Sequence, residues 1–235
     1  KEGAQVAING RDGNSVESAA QRIREAAGVE VLPLSGDVAA PDVPGQFVEQ
    51  IRQTWGGLDI LITNTGGPPS GSFESFSDKQ WEDAVNLVFL SHVRLIRAAL
   101  LLLKESQNAS VLTVTSYSTK QPIPNLVLSN SVRLATVGLT KSLALELGGH
   151  GIRFNSILPG WTETERITQL MSARAQTNRS TIEEETRKQA LESPLNRMGK
   201  PEEFANAATF LVSPAAKYIT GVMLNVDGGT YKGTF

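Results

Sequence analysis

Short apolar runs alternate with longer helical patterns along the whole chain. Continuous apolar runs are typical of parallel strands whose two faces are both covered. The predicted strands lie at 5–9, 29–38, 58–64, 110–116, 152–158 and 222–226. The intervening patterns predict helices at 15–26, 42–55, 77–105, 126–147 and 201–212. This order predicts one α/β domain over residues 1–235 with a doubly wound parallel sheet.

The first predicted strand begins almost at the first residue, and no glycine-rich loop follows it. In a Rossmann-type doubly wound sheet, the first strand is central and leads into a glycine-rich turn that holds the dinucleotide pyrophosphate. The paired glycines of this sequence lie elsewhere, at 56–57, 66–67, 148–149 and 228–229. We therefore expect the sheet to lack its first strand and its glycine-rich loop, which would leave two halves that cannot pair.

Composition excludes several classes of protein. The 22 Lys and Arg residues are balanced by 24 Asp and Glu residues, so no basic excess exists to bind a nucleic acid or an anionic membrane. Cysteine is absent and only two histidines occur, which excludes disulfide scaffolds, thiol catalysis and Cys/His zinc sites. The longest unbroken apolar run, 98–103, is far shorter than the roughly 20 residues of a membrane span. We expect a cytoplasmic protein with no metal, nucleic-acid or membrane partner.

The predicted helix at 77–105 is unusually apolar for a helix that exposes one side to water. Its apolar residues cover much more than the single stripe of a surface helix. One face can pack on the sheet, and the other needs a partner, which is either a loop of the same domain or a second copy of the chain. We expect a homo-oligomer, a dimer or a tetramer, that associates through helices 77–105 and 126–147.

The ends of the first strands carry residues suited to a dinucleotide. Arg11 follows the first strand, where folds of this kind contact the adenosine ribose. A guanidinium can pair with a 2′-phosphate, so Arg11 favours NADP over NAD, although a solvated arginine beside Asp12 explains it about equally well. Asp37, at the end of the next strand, can accept a hydrogen bond from an adenine amino group. The small residues at 64–67 let the backbone approach a cofactor closely.

Five segments in register along the chain resemble the short-chain dehydrogenase/reductase family, especially its 3-oxoacyl-carrier-protein reductase-like members. They are GDV at 36–38, NTGG at 64–67, VNLVFL at 85–90, PGWTET at 159–164, and the C-terminal PLNRMGKPEE with ITGVMLNVDGG. The resemblance covers essentially all 235 residues. It implies an NADP-dependent oxidoreductase that moves hydride between a nicotinamide and a carbonyl or alcohol.

The resemblance also implies roles for individual residues. Ser116 would orient the substrate carbonyl, and Asn86 would hold a water molecule of the proton relay. Asp37 and Val38 are implied to contact the adenine, and Asn64 and Gly66 to line the cofactor. The residues implied to hold the nicotinamide carboxamide are Pro159, Gly160, Thr162 and Thr164.

The catalytic signature departs from the family pattern. That signature is Tyr-x-x-x-Lys, in which a phenol donates its proton and an ammonium one helical turn away lowers the phenol pKa. None of the three tyrosines is followed by lysine at the fourth position. Counting back from GLTKSLALEL at 138–147 places Ser129 at the tyrosine position and Arg133 at the lysine position, with Ser129 thirteen residues after Ser116 as in the family. The resemblance implies that Arg133 binds the ribose hydroxyls.

Serine does not replace the phenol as an acid. An aliphatic hydroxyl titrates near about 16 and a phenol near about 10, a gap that one neighbouring guanidinium does not close. Three alternatives remain open. Tyr117 supplies the proton, with Lys120 or Arg133 lowering its pKa; or a water held by Asn86 and the two serines supplies it. In the third, the chain binds NADP(H) without redox chemistry, as a sensor or a structural subunit.

The polar segment 165–193 interrupts the alternation of strands and helices and contains no aromatic residue. We expect a lid over the substrate, with a solvated helix pair as the alternative interpretation. His92 and His150 have no catalytic spacing and are interpreted as structural. The substrate itself is not indicated by any motif. Apolar residues that could line its pocket are Phe73, Trp161 and Met171.

Overall fold

A computed structural model describes residues 2–234, with the exception of the Arg166 side chain. Its strands pair in parallel and form two sheets. The smaller sheet pairs β1 (Val6–Gly10) with β2 (Val31–Ser35). The larger sheet has the order β3-β4-β5-β6, with the strands at Ile60–Thr63, Ser110–Val114, Arg153–Pro159 and Met223–Val226. The predicted Rossmann-like α/β fold is confirmed, and the strands fall into two groups as expected.

The helices begin where the sequence signals predict. Asp12 precedes α1, and its carboxylate accepts from the backbone N–H of Ser15 at 2.8 Å. A capping box of Ser77 and Gln80 opens α3, and Pro201 is the first residue of α8. The helix bounds, α1 to α8, are Gly13–Ala27, Val43–Trp55, Asp78–Val85, Ser91–Glu105, Val127–Leu147, Glu165–Asn178, Ile182–Ala190 and Pro201–Val212.

The predicted helix at 77–105 is interrupted. A π turn at Asn86–Leu90 separates α3 from α4. Because such a turn changes the internal hydrogen-bond pattern, it alters which carbonyls a neighbouring helix can reach. Here the carbonyl of Val88 accepts from Thr136 Oγ1 on α5 at 2.8 Å. This bond fixes the π turn against α5.

The segment Asp78–Glu105 is long and apolar enough to cross a membrane by length and composition, with a mean hydropathy of 1.7 in its most apolar stretch. The core helix of a water-soluble protein can be equally long and apolar. Here Ile96 and Leu103 belong to the same core cluster as Val111 of β4 and Phe154 of β5. Only 33% of the stretch is buried, so part of its apolar surface has no cover within the described chain.

The apolar strand β4 is covered on both faces. Val111 lies in a cluster with Leu103 of α4 and Leu147 of α5, whereas Leu112 packs with Leu211 of α8 on the opposite face. Each of these five residues is at most 7% exposed. Burial on both faces explains why β4 is a continuous apolar run, and it holds the carboxyl ends of the larger sheet in a fixed register.

The segment 165–193 folds into α6 and α7, followed by a short turn. A capping box of Thr181 and Glu184 begins α7. Met171 on α6 is 1% exposed and Gln189 on α7 is 3% exposed, and the two helices pack on each other. Both interpretations of the segment, a substrate lid and a solvated helix pair, stay predictions.

Candidate active site

The predicted catalytic serine lies at the carboxyl end of β4, the edge of a parallel sheet where ligands bind. Ser116 is half-buried and has an extended backbone. Its Oγ accepts from the backbone N–H of Ser118 at 3.1 Å, which opens a 3₁₀ turn at Tyr117–Thr119. Local hydrogen bonding of this kind holds the Ser116 hydroxyl in place beside the strand end.

Ser129 and Arg133 lie one turn apart near the start of α5, and they are 9% and 8% exposed. Arg133 Nε donates to Ser129 Oγ at 3.1 Å, and Arg133 Nη1 donates to the carbonyl of Thr115 at 3.3 Å. The guanidinium thereby links α5 to the strand end that carries Ser116. Since a guanidinium stays protonated in proteins, the Ser129 oxygen receives a charge-assisted hydrogen bond and keeps its own hydrogen for donation.

The Tyr117 phenol has a different partner from those expected. Tyr117 is 4% exposed, and its hydroxyl oxygen accepts from Trp161 Nε1 at 3.2 Å. Burial raises the pKa of Tyr117, and the hydrogen bond from Trp161 only partly opposes this. Lys120 instead donates to the carbonyl of Met223 at 3.2 Å and lies 5.4 Å from the ring centre of Tyr231. In this structure the Tyr117 hydroxyl is held by Trp161, and Tyr117 as the proton source stays one of the open alternatives.

Asn86 lies in the π turn, and its side chain is committed to the loop after β2. Its amide nitrogen donates to the carbonyl of Ala39 at 3.2 Å, and its amide oxygen accepts from Arg94 at 2.6 Å. Arg94 also donates to Ala39 at 3.0 Å. These bonds fasten the loop that carries Asp37 and Val38, whose adenine contact stays a prediction. The implied role of Asn86 in holding a water molecule of the proton relay stays a prediction.

An open groove of 690 Å³ lies beside β1 and the start of α1. Arg11 is exposed there, which leaves its guanidinium accessible to an anionic group. The amide nitrogen of Asn9 donates to the carbonyls of Leu34 and Gly36, each at 3.0 Å, and these bonds link the end of β1 to the end of β2. The groove is lined by Ile8, Asn9, Gly10, Arg11, Asp12, Ser15, Val16 and Ala19.

The loop after β3 has room for a ligand. A Cβ atom added at Gly66 would meet no atom within 4 Å, so the space beside it is open. The neighbouring Thr65 Oγ1 is buried and has no hydrogen-bond partner in the part of the chain that the structure describes. An unsatisfied hydroxyl next to open space fits a polar group of a bound cofactor. The predicted cofactor residue Asn64 begins this loop.

The segment 159–164 leaves the end of β5 and crosses the loop after β6. A Cβ atom at Gly160 would lie 2.6 Å from the Cα atom of Asp227, so only glycine permits this crossing. Thr162 follows on the same segment, and Thr164 is the N-cap residue of α6. The predicted nicotinamide-binding residues are thus carried by one tightly packed segment that also leads into α6.

His92 is buried on α4 with 1% exposure. Its Nδ1 lies 2.6 Å from Thr63 Oγ1, and its Nε2 has no partner among residues 2–234. Burial, followed by the positive charge of Arg133, lowers the pKa of His92 to about 4. The neutral ring packs between α4 and β3, in agreement with a structural histidine. The described residues contain no group of three His, Asp or Glu side chains that could hold a metal ion.

Comparison with known proteins gives the family. The family model described as Enoyl-(Acyl carrier protein) reductase matches residues 1–231. The chain belongs to the short-chain dehydrogenase/reductase family. A 3alpha-hydroxysteroid dehydrogenase of Mediterraneibacter gnavus is 31% identical to it over 229 residues, which are 96% of this chain and 86% of that protein.

Two solved structures of short-chain dehydrogenase/reductase proteins resemble this chain closely. L-sorbose reductase from Gluconobacter frateurii, complexed with NADPH and L-sorbose, has a TM-score of 0.95 at 29% identity, covering 99% of this chain and 89% of that one. An NADPH-bound short chain oxidoreductase from Pseudomonas aeruginosa PAO1 has a TM-score of 0.89 at 31% identity, covering 98% and 88%. The Pseudomonas protein is described as containing an atypical catalytic center.

Sequence reasoning missed two charged residues of this short-chain dehydrogenase/reductase. Arg94 fastens the loop after β2, and Arg174 on α6 has its guanidinium 5.3 Å from the ring centre of Trp161. For Arg94 a signal existed, because a half-buried charge on an otherwise apolar helix needs polar partners. For Arg174 none existed, since its partner is distant in sequence and lies on another element.

Proposed function

We propose that the chain is an NADP-dependent oxidoreductase that transfers hydride between the nicotinamide and a carbonyl or alcohol substrate. Members of its family are named dehydrogenases and reductases, and the chain is an oxidoreductase of that family. The observation that carries the proposal is the Arg133 guanidinium, which donates both to Ser129 and to the carbonyl of Thr115. The permanent positive charge of Arg133 therefore contacts Ser129 and lies beside the end of β4, which carries Ser116.

The groove beside Arg11 and the open space beside Gly66 support NADP as the cofactor. Arg11 would pair with the 2′-phosphate, and Thr65 Oγ1 would gain the hydrogen-bond partner that it lacks within the described chain. Both solved relatives are NADPH complexes. When bound, the nicotinamide supplies the hydride.

Ser116 and Ser129 would polarise the substrate carbonyl. As hydride reaches the carbonyl carbon, negative charge develops on the oxygen, and two hydroxyl donors backed by the Arg133 charge stabilise it. Removing one preorganised donor of this type typically lowers kcat by about 10²–10³. Ser129 therefore acts as a hydrogen-bond donor and not as the final acid.

A water molecule is the proposed proton source. Water is no stronger an acid than the Ser129 hydroxyl, but a water in contact with solvent can relay a proton from bulk hydronium, which a nearly buried serine cannot. The Tyr117 phenol is 4% exposed and held by Trp161, whereas Ser116 is half-buried and so more accessible to such a water. In this scheme the carbonyl carbon gains the hydride and the oxygen gains a proton that the water relays from bulk hydronium, so one NADPH and one solvent proton are consumed for each alcohol formed.

The proposed substrate is a 3-oxoacyl thioester, because the motifs of the chain resemble the 3-oxoacyl-carrier-protein reductase-like members. The relatives named above differ, since one is a hydroxysteroid dehydrogenase and another is a sorbose reductase. A panel of an acetoacetyl thioester, L-sorbose and a 3-ketosteroid separates these classes.

The test combines an NADPH titration, followed by cofactor fluorescence, with NADPH oxidation on that panel. The proposal predicts saturable binding and oxidation with at least one substrate. Saturable binding without oxidation on any substrate would support the alternative, an NADP(H)-binding sensor or structural subunit whose altered centre is inactive in redox chemistry.

We also propose that the chain forms a cytoplasmic homo-oligomer through the helices at 77–105 and 126–147. Leu101 on α4 is 67% exposed, and Leu134 and Leu145 on α5 are 52% and 78% exposed. Large apolar side chains that project from adjoining helices support a second copy as their cover.

A further inference from the structure

Four side chains connect the helix pair at 165–193 to the strand ends of the active site. Gln189 Oε1 on α7 accepts from Arg174 Nη1 on α6 at 2.7 Å. The Arg174 guanidinium lies 5.3 Å from the ring centre of Trp161, and Trp161 Nε1 donates to the Tyr117 hydroxyl at 3.2 Å. The contacts run from α7 through α6 and the end of β5 to the residue that follows Ser116.

The ends of this chain of contacts are buried. Tyr117 is 4% exposed and Gln189 is 3% exposed. On α6, Met171 and Ala175 are 1% and 6% exposed, and their spacing from Arg174 places all three on one side of the helix. Arg174 therefore belongs to the packed face of α6, where cation–π contacts and charged hydrogen bonds are stronger than in water.

We propose that Arg174 and Trp161 are positioning residues that latch the 165–193 helix pair to Tyr117, and so hold it as a closed lid beside Ser116. The inference rests on the proposed function only in naming the substrate as what the lid covers. It assigns Tyr117 the task of anchoring the lid, and it accounts for the burial of a phenol immediately after the predicted catalytic serine.

If these contacts act as a latch, a change at Tyr117 affects α6 and α7, whereas packing around Tyr117 alone would produce no such distant effect. Tyr117 is about fifty residues before the lid in sequence and lies on another element. If the chain of contacts holds the lid, removing only the Tyr117 hydroxyl must loosen α6 and α7. If the Tyr117 hydroxyl stabilised only the 3₁₀ turn at Tyr117–Thr119, its removal would leave hydrogen exchange in α6 and α7 unchanged.

Hydrogen–deuterium exchange of the full chain tests this without any substrate. The variants are Arg174→Met, Tyr117→Phe and Trp161→Phe, the last of which keeps an aromatic ring for Arg174 but removes the N–H donor. We expect peptides from 165–193 to exchange about tenfold faster in all three, since local opening free energies govern exchange. Arg174→Lys should restore part of the protection, because an ammonium keeps the cation–π contact but lacks the forked geometry.

Matched controls separate latching from general destabilisation. Tyr218→Phe and Arg187→Met change exposed residues of the same types and should leave the lid peptides unchanged. Peptides from α5 should keep wild-type protection in every variant. Faster exchange in α5 would show that a variant destabilises the whole domain. The latch is then judged from the other two of the three variants.

The latch is wrong if lid exchange in Tyr117→Phe and Trp161→Phe equals that of the wild type while Arg174→Met alone accelerates it. Equal exchange in all variants would overturn it as well. Because exchange is read without turnover, failure of the latch is distinguishable from failure of the oxidoreductase proposal, which the NADPH and carbonyl measurements decide.

Discussion

Arg133 Nε donates to Ser129 Oγ at 3.1 Å, across one turn of α5, and both residues are nearly buried. The same guanidinium reaches the carbonyl of Thr115, the residue before Ser116. We propose that this serine–arginine pair stands where the family resemblance implies a tyrosine and a lysine. Because arginine does not release its proton, this pair can supply charge and a hydrogen bond but no proton of its own.

Arg11 should determine the preference for NADP over NAD. Replacing it in Arg11→Ser removes the guanidinium that would pair with the 2′-phosphate, and we expect NADPH affinity to fall by about tenfold or more, the range of a charge-assisted hydrogen bond. NADH affinity should change little. Fluorescence titration with both cofactors measures the ratio.

Arg22→Ser provides the control for this cofactor titration, since Arg22 is also exposed and lies on α1 away from the groove lining. Its two affinities should match the wild type. An unchanged NADPH to NADH ratio in Arg11→Ser would show that another residue selects the cofactor.

His92 should make the folded chain less stable in acid. Its pKa is lowered from 6.5 to about 4 by burial and by the Arg133 charge. Between these values the unfolded chain binds the proton and the folded chain does not, so the free energy of unfolding falls as pH drops through this window and is retained above it. A shift of this size corresponds to roughly 3 kcal/mol at most.

Urea unfolding at several pH values measures the His92 effect. In His92→Gln the loss of stability between pH 6.5 and about 4 should shrink by roughly that amount. His150→Gln removes the other, exposed histidine and should keep the wild-type slope. Parallel slopes for wild type and His92→Gln would contradict the assignment.

The exposed leucines of α4 and α5 should mediate self-association. Leu145 is 78% exposed, so Leu145→Glu puts a charge into the proposed interface with little effect on folding of the single chain. We expect a lower mass by sedimentation or light scattering, with an unchanged far-UV spectrum. Lys217→Glu, on an exposed turn outside both helices, should leave the mass unchanged.

Much of the fold follows from the sequence because its signals are local. Apolar runs between helical patterns predicted the strands of both sheets, and the helical pattern from residue 77 predicted the start of α3 to within one residue. The π turn at Asn86–Leu90 was not predictable, since no glycine or proline marks it and the bond that holds it, between Thr136 and the carbonyl of Val88, is tertiary.

The candidate site was predictable where it depends on spacing along one element. Ser129 and Arg133 are four residues apart on a helix, so their contact follows from helical geometry. The partner of Tyr117 was not predictable, because Trp161 is brought to it by the parallel pairing of β4 with β5. The charged neighbours Lys120 and Arg133 are closer in sequence but bond elsewhere.

The most direct test of the Ser129–Arg133 centre is the single-turnover rate of NADPH oxidation with saturating carbonyl substrate, the best member of the panel. We predict that Ser129→Ala and Arg133→Met each lower this rate by about a hundredfold or more. Tyr117→Phe should stay within about threefold of the wild type, since its phenol is not the acid in this scheme and saturating substrate offsets the loosened lid. Near-complete loss of the rate in Tyr117→Phe, with Ser129→Ala unaffected, would contradict the account.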